Sequence, residues 1–195
     1  CRSRKRGTTL ARLPLVIYPD VILKTRCEDI AEINGDLVDF ARDMAETMYA
    51  SQGIGLAAPQ VARSIRMMTV DVDEDSGGKG LLTLVNPVIL KSEGRTSYQE
   101  GCLSFPGMTV EVRRKDQVHV QAYDLDGQEI LLEADGLLSI CIQHELDHLN
   151  GITFVDRLNP VRRKIVIRSY LERLDQGQED ETEERIRQLH GDEAT

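Results

Sequence analysis

Apolar positions recur every three to four residues from Asp36 to Ala50, at Leu37, Phe40, Ala41, Met44, Ala45 and Met48. That period places them on one face of an α-helix, and the face predicts core. The following residues, Gly53-Ile54-Gly55-Leu56-Ala57-Ala58-Pro59-Gln60, are small and run into a proline that cannot sit inside a helix. They predict loop or extended chain that another group can approach closely. Beyond them the pattern shortens to strand-like runs at residues 65–72, 81–90, 109–113, 118–124 and 129–133. A polar, Gly-rich loop covers residues 73–80, and Asp126-Gly127 is a hairpin turn signal.

A second helical pattern follows the strands, with Asp135 as a cap near its start and Asn150-Gly151 as its stop. Leu137, Ile140 and Cys141 precede His144 by seven, four and three residues, so an apolar stripe leads into the sequence His144-Glu145-Leu146-Asp147-His148. Histidines four apart stand one above the other on a helix, and both can reach one metal ion from a single rigid element. Glu145 then lies beside the metal without ligating it, where a general base for water belongs. Pro160 opens a final helix to about Leu174. Strands without intervening helices pair antiparallel. The expected fold is therefore α+β: antiparallel sheets packed around a central metal-binding helix, with a C-terminal helix.

Length and charge narrow the picture. The 195 residues suffice for one domain with a real core, and no apolar run is long enough to span a bilayer. Residues 1–12 carry Arg2, Arg4, Lys5, Arg6 and Arg12 without an acid, and predict a basic leader, disordered or vector-derived. From Asp175 eight acids face only Arg185 and Arg187, predicting a solvated acidic tail over residues 175–195. The catalytic domain is expected over residues 13–174. A net charge of −9 argues against DNA binding. The cysteines at 1, 27, 102 and 141 form no pair or framework and fit a reducing compartment.

Two histidines on one helix need a third protein ligand. Phe154 occupies the place where the metzincin pattern would put a third His, which excludes that class. Glu172 in the final helix would complete a thermolysin-like peptidase site. Cys102, in Glu100-Gly101-Cys102-Leu103-Ser104, offers a thiolate next to a glycine that permits close backbone approach. A non-catalytic metal or nascent-chain binding module is the third reading open at this point.

The segments Gly53–Gln60, Glu100–Ser104 and Gln143–His148 together resemble, in order, the three motifs of the peptide deformylases, bacterial-type and type 1-like. The resemblance runs from about Leu13 to Leu174, and Phe105-Pro106-Gly107 and Asp156-Arg157-Leu158 fit it as well. It implies a metal-dependent hydrolase that removes the N-formyl group from the formyl-methionine of newly synthesised proteins, by attack of metal-bound hydroxide on the formyl carbon with a Glu acid/base. It implies Cys102, His144 and His148 as metal ligands and Glu145 as acid/base, with Gln60 and the Leu103 N–H stabilising the oxyanion. Gly55 is expected to pair with the substrate backbone. Ile54, Glu100, Gly101, Leu137, Ile140 and Cys141 are expected to shape the substrate site. Ferrous iron is the metal implied in the cell, with zinc or nickel in purified protein. The partners implied are N-formyl-Met nascent peptides and, through Arg162, Arg163, Lys164, Arg168 and Arg173, a weak ribosome association. Neither DNA nor a membrane is expected as a partner. The compartment implied is the bacterial cytoplasm or, alternatively, an organelle.

Overall fold

The computed structural model describes residues 12–73 and 77–175. The basic leader up to residue 11 and the acidic tail from residue 176 lie outside the described residues. The first helix, α1, spans Gly35–Ala50 and is capped by the Asn34 side chain, which accepts from the Leu37 amide. Its stripe is buried as the spacing predicts, with Met44 and Met48 fully enclosed. Two short strands follow, β1 (Gly55–Ala57) and β2 (Met67–Val70). β3 (Leu82–Glu93), β4 (Thr96–Gly101), β5 (Thr109–Arg114), β6 (Gln117–Tyr123) and β7 (Glu129–Asp135) complete the strands. The metal-motif helix α2 spans Gly136–Leu149, and α3 spans Pro160–Asp175.

The strands form a five-stranded sheet in the order β1-β2-β3-β6-β7 and a separate β4-β5 pair. Every pairing between named strands is antiparallel, as expected for an α+β domain. β6 buries Val118, Val120 and Ala122 on one face by simple alternation. That face packs with Ile142 and Leu149 of α2, both fully buried, and each such side chain contributes about 1.5–3 kcal/mol. A second cluster joins α1 to Leu56 of β1 and Met67 of β2. A third gathers Phe105, Val110, Val112, Phe154 and Tyr170, joining β5 to α3. Phe105 is its hub: it stacks on Tyr18 with centroids 4.6 Å apart and meets Phe154 edge-on at 5.1 Å.

Two expectations need correction, and one left open is decided. β4 has no counterpart among the strand-like runs, because Thr96-Ser97-Tyr98-Gln99-Glu100 is polar and buries only Glu100. Of the loop or extended chain expected over Gly53–Gln60, Gly55–Ala57 is the extended part, a strand completed by its pairing with β2. Asp135 does occupy the N-cap position of α2, but its side chain makes no capping hydrogen bond.

Candidate metal centre and active site

One helical turn separates His144 from His148 on α2, which sets their rings 5.1 Å apart, centroid to centroid. Both are buried. The opposite wall is the end of β4: Gly101 closes the strand, and Cys102 turns its Sγ to within 3.3 Å of His148 Nε2. Donor atoms of Cys102, His144 and His148 all lie within 4.8 Å of one another. Tetrahedral metal–sulfur and metal–nitrogen bonds of about 2.3 and 2.0–2.1 Å require ligand atoms at roughly such spacings. The three side chains therefore fit a divalent ion.

Protonation geometry favours the same reading. His144 Nδ1 lies 2.8 Å from Glu100 Oε2. Burial would raise the Glu100 carboxyl, but bonds from Arg114 and His144 outweigh it and bring its pKa to about 2. Glu100 is thus an ionised acceptor, His144 donates Nδ1–H to it, and the Nε2 lone pair is left for a metal. Burial pulls the His144 pKa down, yet Cys102 and Glu100 together raise it well above the ordinary value. Sulfur and carboxylate make this position favourable to positive charge. Burial and the neighbouring His144 push His148 well below its ordinary value, which favours the neutral form a metal would need.

Glu145 is almost fully buried, and its Oε2 has no hydrogen-bond partner among the described residues. Burial lifts its pKa to about 7, although His144 pulls the other way. A carboxyl tuned to neutrality can both take and return a proton. Gly55 is what makes room for it: a Cβ there would stand 2.5 Å from Glu145 Oε1 and 2.7 Å from Cys141 Sγ. Gln60 is fully enclosed, and its Oε1 accepts from the Ala57 amide at 2.7 Å. Its Nε2 is thereby aimed at the cleft, 3.5 Å from Cys102 Sγ.

A cleft of about 420 Å³ opens over these groups. Ile54, Gly55, Gln60, Glu100, Gly101, Cys102, Leu103, Leu137, Ile140, Cys141, His144 and Glu145 all line it, and His148 lies beneath. Burial and the charges of Glu145 and Glu100 raise the Cys141 thiol well above its ordinary value, and its Sγ lies 3.4 Å from the Ile54 carbonyl oxygen. Cys141 is therefore a neutral wall residue. Glu172 stands apart, bonded at 2.7 Å to Arg168 on the exposed side of α3.

Sequence reasoning missed the groups behind the ligands. Arg114 donates to Glu100 at 2.7 and 2.9 Å and to Asp147 at 2.5 Å, all three side chains being buried. Gln143 accepts from the Lys115 amide at 3.0 Å and donates to its carbonyl at 2.8 Å, tying α2 to the end of β5. The available signal was the position of Arg114, a charge where the Val110–Val112 alternation points inward.

Comparison with known proteins leads to one family. Residues 12–164 match the family model for polypeptide deformylase. A peptide deformylase of Thermodesulfovibrio yellowstonii is 46% identical over 156 residues, covering 80% of this chain and 94% of that one. The crystal structure of a Legionella pneumophila peptide deformylase superposes with a TM-score of 0.78 at 37% identity, covering 85% and 98% of the two chains. That of a Synechococcus elongatus peptide deformylase in complex with actinonin superposes with a TM-score of 0.77 at 39% identity, covering 83% and 89%.

Proposed function

Because this chain belongs to the peptide deformylase family, metal-dependent enzymes that remove N-formyl groups, we propose that Cys102, His144 and His148 hold its metal and that Glu145 is its acid/base. The enzyme is a hydrolase acting on the formyl-methionine end of new polypeptides. The observation that carries the residue assignment is the convergence of one sulfur and two imidazoles beside the unpartnered Glu145 oxygen.

A divalent cation bound there supplies Lewis acidity, activating water at neutral pH and polarising the formyl group. Glu145 accepts the proton of the attacking water and delivers it to the departing amine. Gln60 Nε2 and the Leu103 N–H donate to the oxygen that becomes negative in the tetrahedral state, each such donor being worth about 3 kcal/mol. Gln60 reaches this position already oriented by Ala57, so little reorganisation remains. Gly55, at the edge of the five-stranded sheet, offers backbone groups to an extended substrate. Ile54, Leu137, Ile140 and Cys141 receive the methionine side chain.

One thiolate and two imidazoles form a borderline-soft donor set. We assign ferrous iron as the working ion and zinc or nickel as the ions retained on purification. No helix among the described residues is long and apolar enough to cross a membrane. The reading places the enzyme where translation occurs, in a bacterial cytoplasm or an organelle, and the absence of disulfides at Cys27, Cys102 and Cys141 fits a reducing medium there. Its hold on the ribosome through α3 is weak, because Arg163, Arg168 and Arg173 are already engaged by Asp156, Glu172 and the Gly107 carbonyl.

Anaerobic release of formate from a formyl-Met peptide by the ferrous-loaded protein tests this reading. Wild type should turn over, and Glu145→Gln should keep fold and metal while losing nearly all turnover. Folded, metal-loaded wild type that releases no formate would overturn it.

A further inference from the structure

Behind the ligands runs a line of charges that alternate in sign. His144 bonds Glu100 at 2.8 Å, Glu100 takes two donors of Arg114, and a third Arg114 donor reaches Asp147. Asp147 in turn accepts from Arg157 through both oxygens, Nε lying 2.9 Å away and Nη2 completing the fork. Glu100, Arg114 and Asp147 are 3–5% exposed at their side chains, whereas Arg157 is 44% exposed. The line therefore connects solvent to a metal ligand across the back of α2.

We propose that Arg157 and Asp147 are positioning residues for the metal centre: through Arg114 and Glu100 they fix the orientation of the His144 ring and set how long the ion is held. The inference rests on the ligand set proposed above.

The reasoning is electrostatic and geometric. Glu100, Arg114 and Asp147 carry a formal charge of −1 between them, and Arg157 brings the line to neutrality. Without Arg157, Asp147 keeps a single protein donor, Nη1 of Arg114, and water from the cleft that Asp147 lines can hydrate the carboxylate but not hold it in place. A buried carboxylate so deprived draws on the cation that remains. The Arg114 guanidinium is a rigid plane, so turning it towards Asp147 loosens its paired grip on Glu100. Glu100 is then free to rotate, and the His144 Nδ1–H loses its fixed acceptor. Partners of a metal-bound histidine commonly govern metal affinity by about 10- to 100-fold. Arg157 lies further out, so its removal should act at about the tenfold end.

Arg157 is also well placed to be tested. It lines a second cleft, of about 760 Å³, with Arg95, Arg113 and Lys115. No residue of that cleft lines the one over the metal. A peptide bound over the metal does not touch Arg157, so the residue can influence the centre only through the protein.

The experiment compares cobalt-loaded wild type, Arg157→Leu, Arg157→Lys and Asp147→Asn in the full chain. The readouts are the rate of cobalt loss to a chelator, the visible spectrum of the bound cobalt, KM for a formyl-Met peptide and the melting temperature of the metal-free protein. Arg157→Leu should lose cobalt about tenfold faster, with a shifted spectrum, an unchanged KM and a nearly unchanged metal-free melting temperature. Lysine should restore part of the retention, and Asp147→Asn, if it folds, should exceed Arg157→Leu in effect. Wild-type cobalt loss and spectrum in Arg157→Leu would overturn the proposal. A fall in melting temperature with an unchanged spectrum would overturn it too, leaving Arg157 a merely structural residue. Cys102→Ser separates the two readings: cobalt retained without that thiolate overturns the ligand set, and with it the relay.

Discussion

The five-stranded sheet and the β4–β5 hairpin both flank α2, but different forces hold them there. The sheet meets α2 through apolar side chains, Val118, Val120 and Ala122 against Ile142 and Leu149. On β4 only Glu100 is buried. The hairpin reaches α2 through Arg114 to Asp147, Glu100 to His144 and the Gln143 clasp on Lys115. Its apolar residues Val110 and Val112, on the same face as Arg114, pack with Phe105, Phe154 and Tyr170. The helix that carries the two imidazoles is thus seated by packing and the hairpin that leads to the thiol mainly by charge. A centre assembled across that seam should respond to lost volume on one side, and to lost charge or low pH on the other.

The largest expected effect comes from Arg114→Leu, which takes the shared cation from two buried carboxylates at once. Losing one partner of a buried pair costs about 3–5 kcal/mol, so denaturant unfolding should show a loss of that order together with loss of bound metal. A stability loss that leaves metal binding intact would mean that the hairpin is held by its apolar face instead.

Acid should act on the same seam. The Glu100 pKa of about 2 lies below its ordinary 4.5. Its contribution is therefore complete above pH 4.5 and is lost as pH falls towards 2, a change on the order of 3 kcal/mol. Metal-free wild type should weaken steeply across that window, and Glu100→Gln should show a flatter profile. Equal slopes in the two proteins would remove Glu100 from the account of acid stability.

Gly55→Ala probes the sheet side at its point of contact with the chemistry. The new Cβ meets the movable ends of Glu145 and Cys141, so the side chains yield before the backbone does. Stability should change by only about 1 kcal/mol, whereas kcat for formate release should fall about 10- to 100-fold as the carboxylate is displaced. Full activity in this variant would show that Glu145 has room the structure does not reveal. Smallest of all is Glu172→Gln: its exposed bond to Arg168 lies far from the seam, and metal content and melting temperature should stay at wild-type values. A drop in metal content would revive Glu172 as a ligand.

The two regions also differ in how well the sequence displays them. Apolar period alone reveals α1, β6 and α2, because packing selects residues by hydrophobicity and spacing records it. Cys102 could be paired with His144 and His148 only through the three motifs read together, since no local pattern announces that residues some forty positions apart converge on one point. β4 escaped because five polar residues in a row carry no alternation. The pairing of Asp147 with Arg157 escaped for a related reason: one more acid or arginine looks solvated until its partner is located in space. Polar restraints are written in pairs, and either half alone is uninformative.

The central claim is that the hairpin's thiolate and the helix's two imidazoles bind a single ion. X-ray absorption at the metal edge of the zinc-loaded protein tests it most directly. The account predicts one sulfur at about 2.3 Å and two imidazole nitrogens at about 2.0–2.1 Å, with a lighter oxygen ligand completing the shell. A shell of nitrogen and oxygen alone, with no sulfur, would contradict it.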